Sequence, residues 1–133
     1  MPASAPVYLP DTDADLIADA LAGKASLLVA CLCAEWCGTC REYLPRFTDL
    51  AASLPHHVFV WVDVETHPEL LDDEDIEDFP TLLIQDATRT RFYGPMLPHI
   101  GHLERMIQTI VADGDGVDVA LAAPKLRQHL SPP

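Results

Sequence analysis

The chain has 133 residues, of which 49% are hydrophobic and 22% charged, the balance of one core-forming domain and too short for a second. Its formal net charge of −13 argues against nucleic acid and anionic membranes as partners, because both would repel it at long range, and leaves basic proteins as candidates. The N-terminus lacks a basic start followed by a continuous apolar stretch, its first lysine being Lys24, and no run is long enough to cross a bilayer, so a cytoplasmic location is expected. In such a reducing compartment the four cysteines are not expected to be permanent staples.

In chain order, Thr12 or Asp13 is a candidate N-cap for a first helix with Leu16, Ile17, Ala20 and Leu21 on one face, ended by Gly23. Residues 27–34 form a short apolar run, LLVACLCA, of the kind that makes a buried strand. That strand feeds directly into Trp36, Cys37, Gly38, Thr39 and Cys40, two cysteines three apart at a helix start. At such a position the unpaired backbone N–H groups and the helix dipole favour negative charge, so Cys37 is the expected nucleophile. Cys40, one turn on, is placed to resolve a mixed disulfide formed on Cys37. The spacing alone is also used by structural zinc sites.

Further along, residues 42–53 carry Leu44, Phe47, Leu50 and Ala51 at helical spacing, with Pro45 expected to kink the helix. Residues 58–64 read as a strand and residues 67–75 as an acidic helical stretch. Residues 81–85 and 89–93 read as a hairpin around residues 86–88. A last helix opens near Pro98 and buries Leu103, Met106, Ile107 and Ile110. Beyond Asp113, glycines and prolines mark a terminal extension in which residues 117–130 offer one short helix.

On these residues the chain resembles the thioredoxin family. AEWCGTCR, residues 34–41, is close to the family pattern AEWCGPCK, and Pro45 stands five residues after the second cysteine. Phe79, Pro80 and Thr81 are similar to the family's apolar-Pro-Thr segment, and Gly94 to the glycine after the last hairpin. The resemblance covers roughly residues 7–112. It implies an α/β fold with a central mixed β-sheet flanked by helices: residues 1–112 as the thioredoxin-like domain, residues 113–133 as a short C-terminal extension.

It also implies a function: a protein-disulfide oxidoreductase working through a redox-active Cys37–Cys40 disulfide. Pro80, with a cis peptide bond, packs beside the sulfurs in this picture and seats a client strand with the Phe79 backbone, while Trp36, Thr81 and Gly94 border the groove. Gly38, Thr39 and Arg41 support the active pair, Arg41 as a candidate holder of the thiolate. No organic cofactor and no metal are expected, since the electrons reside in the sulfurs. The expected partners are a disulfide-containing client and a separate reductase or glutathione.

Three departures from the family pattern bear on the chemistry. Cys31 occupies the place of a buried aspartate that helps deprotonate the resolving cysteine, and Trp61 that of its companion lysine. Thr39 replaces a proline, restoring an N–H that can point at the Cys37 sulfur, so a pair less reducing than the roughly −270 mV of thioredoxin is expected. Cys33 replaces an aromatic residue, on the same strand face as Cys31. Both read as small buried hydrophobes, with a second redox role for Cys33 as the alternative.

Two other classes compete. A metal-binding module would draw on the four thiolates and on His56, His57, His67, His99 and His102, but a strand pair and a helix-start pair close a tetrahedron poorly. A partner-binding protein or chaperone with little redox activity would use the groove beside Trp36, Phe79 and Pro80. An acidic run through Asp72, Asp73, Glu74, Asp75, Glu77 and Asp78 ends beside that groove; Glu77 and Asp78 are candidates for selecting basic clients, against the plain reading of a solvated face.

Overall fold

The architecture comes from a computed structural model, which describes residues 7–10, 12–22, 27–71, 76, 78–86, 89–113 and 126–130. The strands are β1 (Val7–Tyr8), β2 (Leu28–Cys33), β3 (Val58–Asp63), β4 (Thr81–Gln85) and β5 (Thr90–Pro95). The helices are α1 (Ala14–Ala22), α2 (Gly38–Ser53), α3 (Ile100–Asp113) and α4 (Leu126–Leu130), with a 3-10 turn at Pro68–Leu71. The sheet runs β1-β3-β2-β4-β5; β2 lies at its centre, parallel to β3 and antiparallel to β4. This is the mixed sheet flanked by helices that the resemblance implies.

Strand alternation sorts the core into two layers, because successive side chains point to opposite faces. Along β2, Leu28, Ala30 and Leu32 face one layer with Ile17 and Leu21 of α1 and Leu126 and Leu130 of α4. Val29, Cys31 and Cys33 face the other, with Cys40, Tyr43 and Phe47 of α2 and Leu103 and Ile107 of α3. All six residues of β2 are buried, as a central strand covered by helices on both faces requires. The same alternation places Cys31 and Cys33 under α2.

Several boundaries differ from those the sequence pattern predicts. Strand β1 is not predicted because two residues carry no periodic signal; they are held by parallel pairing of Val7 with Phe59 and Tyr8 with Val60. On α1, Ile17 and Leu21 are buried while Leu16 is 48% exposed. On α2 the buried stripe is Cys40, Tyr43, Phe47, Leu50 and Ala51, with Leu44 turned outward. Pro45 lies inside α2 without ending it. The acidic stretch begins as the 3-10 turn Pro68–Leu71, and its continuation through residues 72–75 falls outside the described residues. So do Gly23, Glu77 and residues 114–125.

The C-terminal segment contributes to the core. Leu126 is fully buried, and the α4 backbone N–H of Arg127 donates to Gln85 Oε1 at 2.9 Å. Gln85 Nε2 in turn donates to Thr90 Oγ1 at 2.9 Å, so one buried amide ties α4 to β4 and β5. No helix among the described residues is long and apolar enough to cross a membrane.

Candidate redox site

The site lies where β2 ends and α2 begins. After Cys33 the chain turns through Ala34, Glu35 and Trp36, and the Cys37 N–H donates to the Ala34 carbonyl at 3.0 Å. Cys37 is the N-cap of α2 in extended conformation, φ −82° and ψ 118°, with no side-chain capping bond. A serine or aspartate there would spend its side chain on the first-turn N–H groups. The thiol instead stays half-exposed at a helix end where the dipole favours an anion.

The other three cysteines are buried beneath it. Cys40 is 1% exposed, and Cys31 and Cys33 are fully buried. The structure joins Cys33 to Cys40, with Cα atoms 5.9 Å apart, and leaves Cys31 and Cys37 as free thiols. The bond present differs from the expected Cys37–Cys40 pair because the first turn of α2 packs on the face of β2 that carries Cys33. Cys31 is close as well, its Sγ 3.7 Å from that of Cys33. Burial pushes the Cys31 thiol up, which keeps it protonated and apolar.

Tyr43 completes this sulfur layer and is not among the residues that motif and resemblance single out. Its ring is buried one turn after Cys40, and its hydroxyl has no hydrogen-bond partner among the described residues. Burial first, and the neighbouring Cys31 second, hold its hydroxyl well above the usual phenol range, so it is a neutral phenol beside the sulfurs. The signal that could find it is spacing: Tyr43 stands three after Cys40 and four before Phe47, on the stripe that α2 buries.

Three of the residues that depart from the family pattern, Cys31, Cys33 and Trp61, are neighbours in space. Cys31 pairs in register with Trp61, and Cys33 with Asp63, across β2 and β3. A cleft of about 360 Å³ opens over Cys40, and its lining includes Glu35, Arg41, Trp61, Asp63 and His67. With Cys31 in place of the buried aspartate, Glu35 and Asp63 are the carboxylates that share this cleft with Cys40. Asp63 is also structural, its Oδ1 accepting the N–H groups of Glu65 at 2.9 Å and Thr66 at 3.2 Å.

Trp36 is 63% exposed and meets Phe79 edge-on, with ring centroids 5.6 Å apart. The Phe79–Pro80 peptide is cis. The Pro80 carbonyl accepts the Met96 N–H at 3.1 Å, and the Thr81 hydroxyl donates to the Asp78 carbonyl, which fixes this bend against the end of β5. Both Phe79 and Cys37 pack on the layer containing Cys33 and Cys40. Gly94 lies within β5, paired with Leu82, rather than after the hairpin. A Cβ at Gly94 would meet only Phe92 Cζ at 3.9 Å, and one at Gly38 nothing within 4 Å, so neither glycine is forced by crowding. Thr39 and Arg41 lie on the first turn of α2, with Arg41 exposed.

Among the described residues no group of three or more His, Cys, Asp or Glu side chains is placed to hold a metal ion. The His99 and His102 rings meet at a tilt of 53° with centroids 5.8 Å apart where α3 begins, and His67 Nδ1 lies 3.1 Å from Glu69 Oε2.

The family model for thioredoxin matches residues 11–99. The chain belongs to the thioredoxin family. Thioredoxin 2 of Streptomyces coelicolor is 36% identical over 90 residues, 67% of each chain. The solved thioredoxin of Schistosoma mansoni is 26% identical with a TM-score of 0.60, covering 80% of this chain and 98% of that one. A crystal structure of thioredoxin f2 in complex with ferredoxin:thioredoxin reductase shares the fold, at 18% identity and a TM-score of 0.58 over 79% of this chain and 93% of that one. The chain spans between 37% and 53% of the length of several curated thioredoxins it matches. Thioredoxins are thiol-disulfide oxidoreductases, and this thioredoxin-family chain carries a disulfide at that site.

Proposed function

We propose that the chain is a cytoplasmic protein-disulfide oxidoreductase in which Cys37 attacks a client disulfide and Cys40 resolves the intermediate. The observation that carries this is the division of labour among the sulfurs: Cys37 alone is half-exposed at a helix start, above a Cys40 that is buried and already in a disulfide. In the reduced protein, the Cys37 thiolate forms a bond to one client sulfur and expels the other as thiolate. Cys40, deprotonated with Glu35 and Asp63 sharing its cleft, then attacks Cys37 Sγ, releasing the client dithiol and closing Cys37–Cys40. Two electrons pass from the protein to the client, and no organic cofactor takes part.

The groove of Trp36, Phe79, Pro80, Thr81 and Gly94 would seat the client strand. Electrons would return from a separate reductase, as the complex of the related thioredoxin f2 suggests, or from glutathione. A glutathione titration with alkylation and mass readout of each cysteine tests the proposal. A reversible disulfide involving Cys40, at a potential less negative than about −270 mV, is the expected result. Absence of any disulfide at every poise would refute it.

The exposed Asp78 next to the groove favours basic clients in this reading. Asp78 stands two residues before Pro80. Exposed ion pairs contribute at most about 1 kcal/mol, so Asp78→Lys is expected to slow reduction of a basic disulfide peptide by up to about fivefold, with less effect at high salt. Equal changes for basic and acidic peptides would refute the charge preference.

A further inference from the structure

Cys33 has no part in the two-cysteine scheme. It sits on the last residue of β2, fully buried, within bonding reach of Cys40 and with Cys31 Sγ 3.7 Å away. We propose that Cys33 is a second resolving thiol, which takes Cys40 from Cys37 after client reduction, stores the disulfide in the core and returns Cys37 to the surface as a free nucleophile. This rests on the proposed function for the source of the first disulfide.

The exchange is balanced within the chain. The Cys33 thiolate attacks Cys40 Sγ in the Cys37–Cys40 disulfide; the Cys33–Cys40 bond forms, the Cys37–Cys40 bond breaks, and the proton lost by Cys33 is matched by one gained at Cys37. No electron leaves the protein and no outside oxidant is needed. The product is the state seen here, with Cys33 bonded to Cys40 and Cys37 free.

Burial sets how the stored disulfide can be opened again. An external protein reductant cannot contact the Cys33–Cys40 bond, since one residue is fully buried and the other 1% exposed. Re-reduction therefore runs backwards through Cys37, which reopens the bond at Cys40 and presents Cys37–Cys40 to the reductant. In the stored state Cys37 can still attack a second client disulfide, but Cys40 is not available to resolve it. The mixed disulfide then leaves by attack of the client's own thiols, which rearranges disulfides rather than reducing them.

The test is a single turnover of the reduced 133-residue chain with one equivalent of insulin as the disulfide probe, quenched in acid, alkylated after denaturation at low pH and mapped by mass. Released insulin thiols together with a linked Cys33–Cys40 peptide and alkylated Cys37 in most oxidised molecules are expected. Released thiols with Cys37–Cys40 as the sole link and Cys33 alkylated would overturn the inference and leave the proposed function standing. No released thiols would overturn both. As a second measurement, Cys33→Ser should move the midpoint of the glutathione titration to a less negative potential, by about 30 mV for a tenfold preference for the buried pair. A titration superimposable on that of the unaltered chain would also overturn it, and Cys33→Ala serves in the same way if the serine variant does not fold.

Discussion

Replacing Cys37 with serine reduces client-disulfide cleavage to the background of a protein-free control. A serine hydroxyl neither ionises near neutral pH nor forms a disulfide, so the first bond to the client cannot be made. None of the remaining cysteines can substitute, because Cys31 and Cys33 are fully buried and Cys40 is 1% exposed, while a client must bring its own sulfur into contact with the attacking one. The substitution should leave the fold intact. Cys37 is half-exposed at the N-cap, a position where serine is a preferred residue and would cap the first-turn N–H groups. Insulin turbidity or thiol-release assays on the two proteins, with circular dichroism to compare folding, check the prediction. Residual turnover above a few per cent would mean that the client reaches a sulfur other than Cys37.

Phe47→Ala should be the most damaging of the core truncations around the site, with a loss of about 3–5 kcal/mol. Phe47 is fully buried on α2, and its ring meets Phe59 at 5.3 Å, Trp61 at 5.7 Å and Tyr43 at 6.2 Å between centroids. Alanine removes the ring and leaves a cavity between α2 and β3 that these aromatic neighbours can refill only in part. Since domains of this size are stable by roughly 5–15 kcal/mol, the loss is a large share of the total. It corresponds to a drop in Tm of about 10–20 °C. The effect reaches the chemistry, because Phe47 holds α2 against the sheet two turns after Cys40. Urea unfolding should show a lower midpoint at unchanged slope. A change below about 1 kcal/mol would show that α2 is seated by other contacts.

Much of this site is legible in the amino-acid sequence. The apolar run that forms β2, the cysteine pair at the start of α2, and Phe79, Pro80 and Thr81 are each readable from local pattern or family resemblance. Local pattern fails where several faces compete for the same residues. Leu44 is more apolar than Tyr43, yet α2 buries Tyr43, because the helix is oriented by Cys40, Phe47 and Leu50 and the tyrosine falls on their stripe. Gly94 stands inside β5 because pairing of Thr81 with Pro95 and Leu82 with Gly94 extends the hairpin beyond the run that reads as strand.

Local pattern is enough to put Cys37 at a helix start, Cys40 one turn later, and Cys31 and Cys33 on one face of a strand, since periods of 3.6 and 2 are fixed by backbone geometry. Which sulfur Cys40 meets depends instead on how the elements pack. Disulfide partners depend on the distance between elements, and here the packing of α2 on β2 brings the Cα atoms of Cys33 and Cys40 to 5.9 Å, within the range a disulfide spans. No periodicity along the chain encodes that approach; it is set by the side chains that fill the layer between helix and sheet.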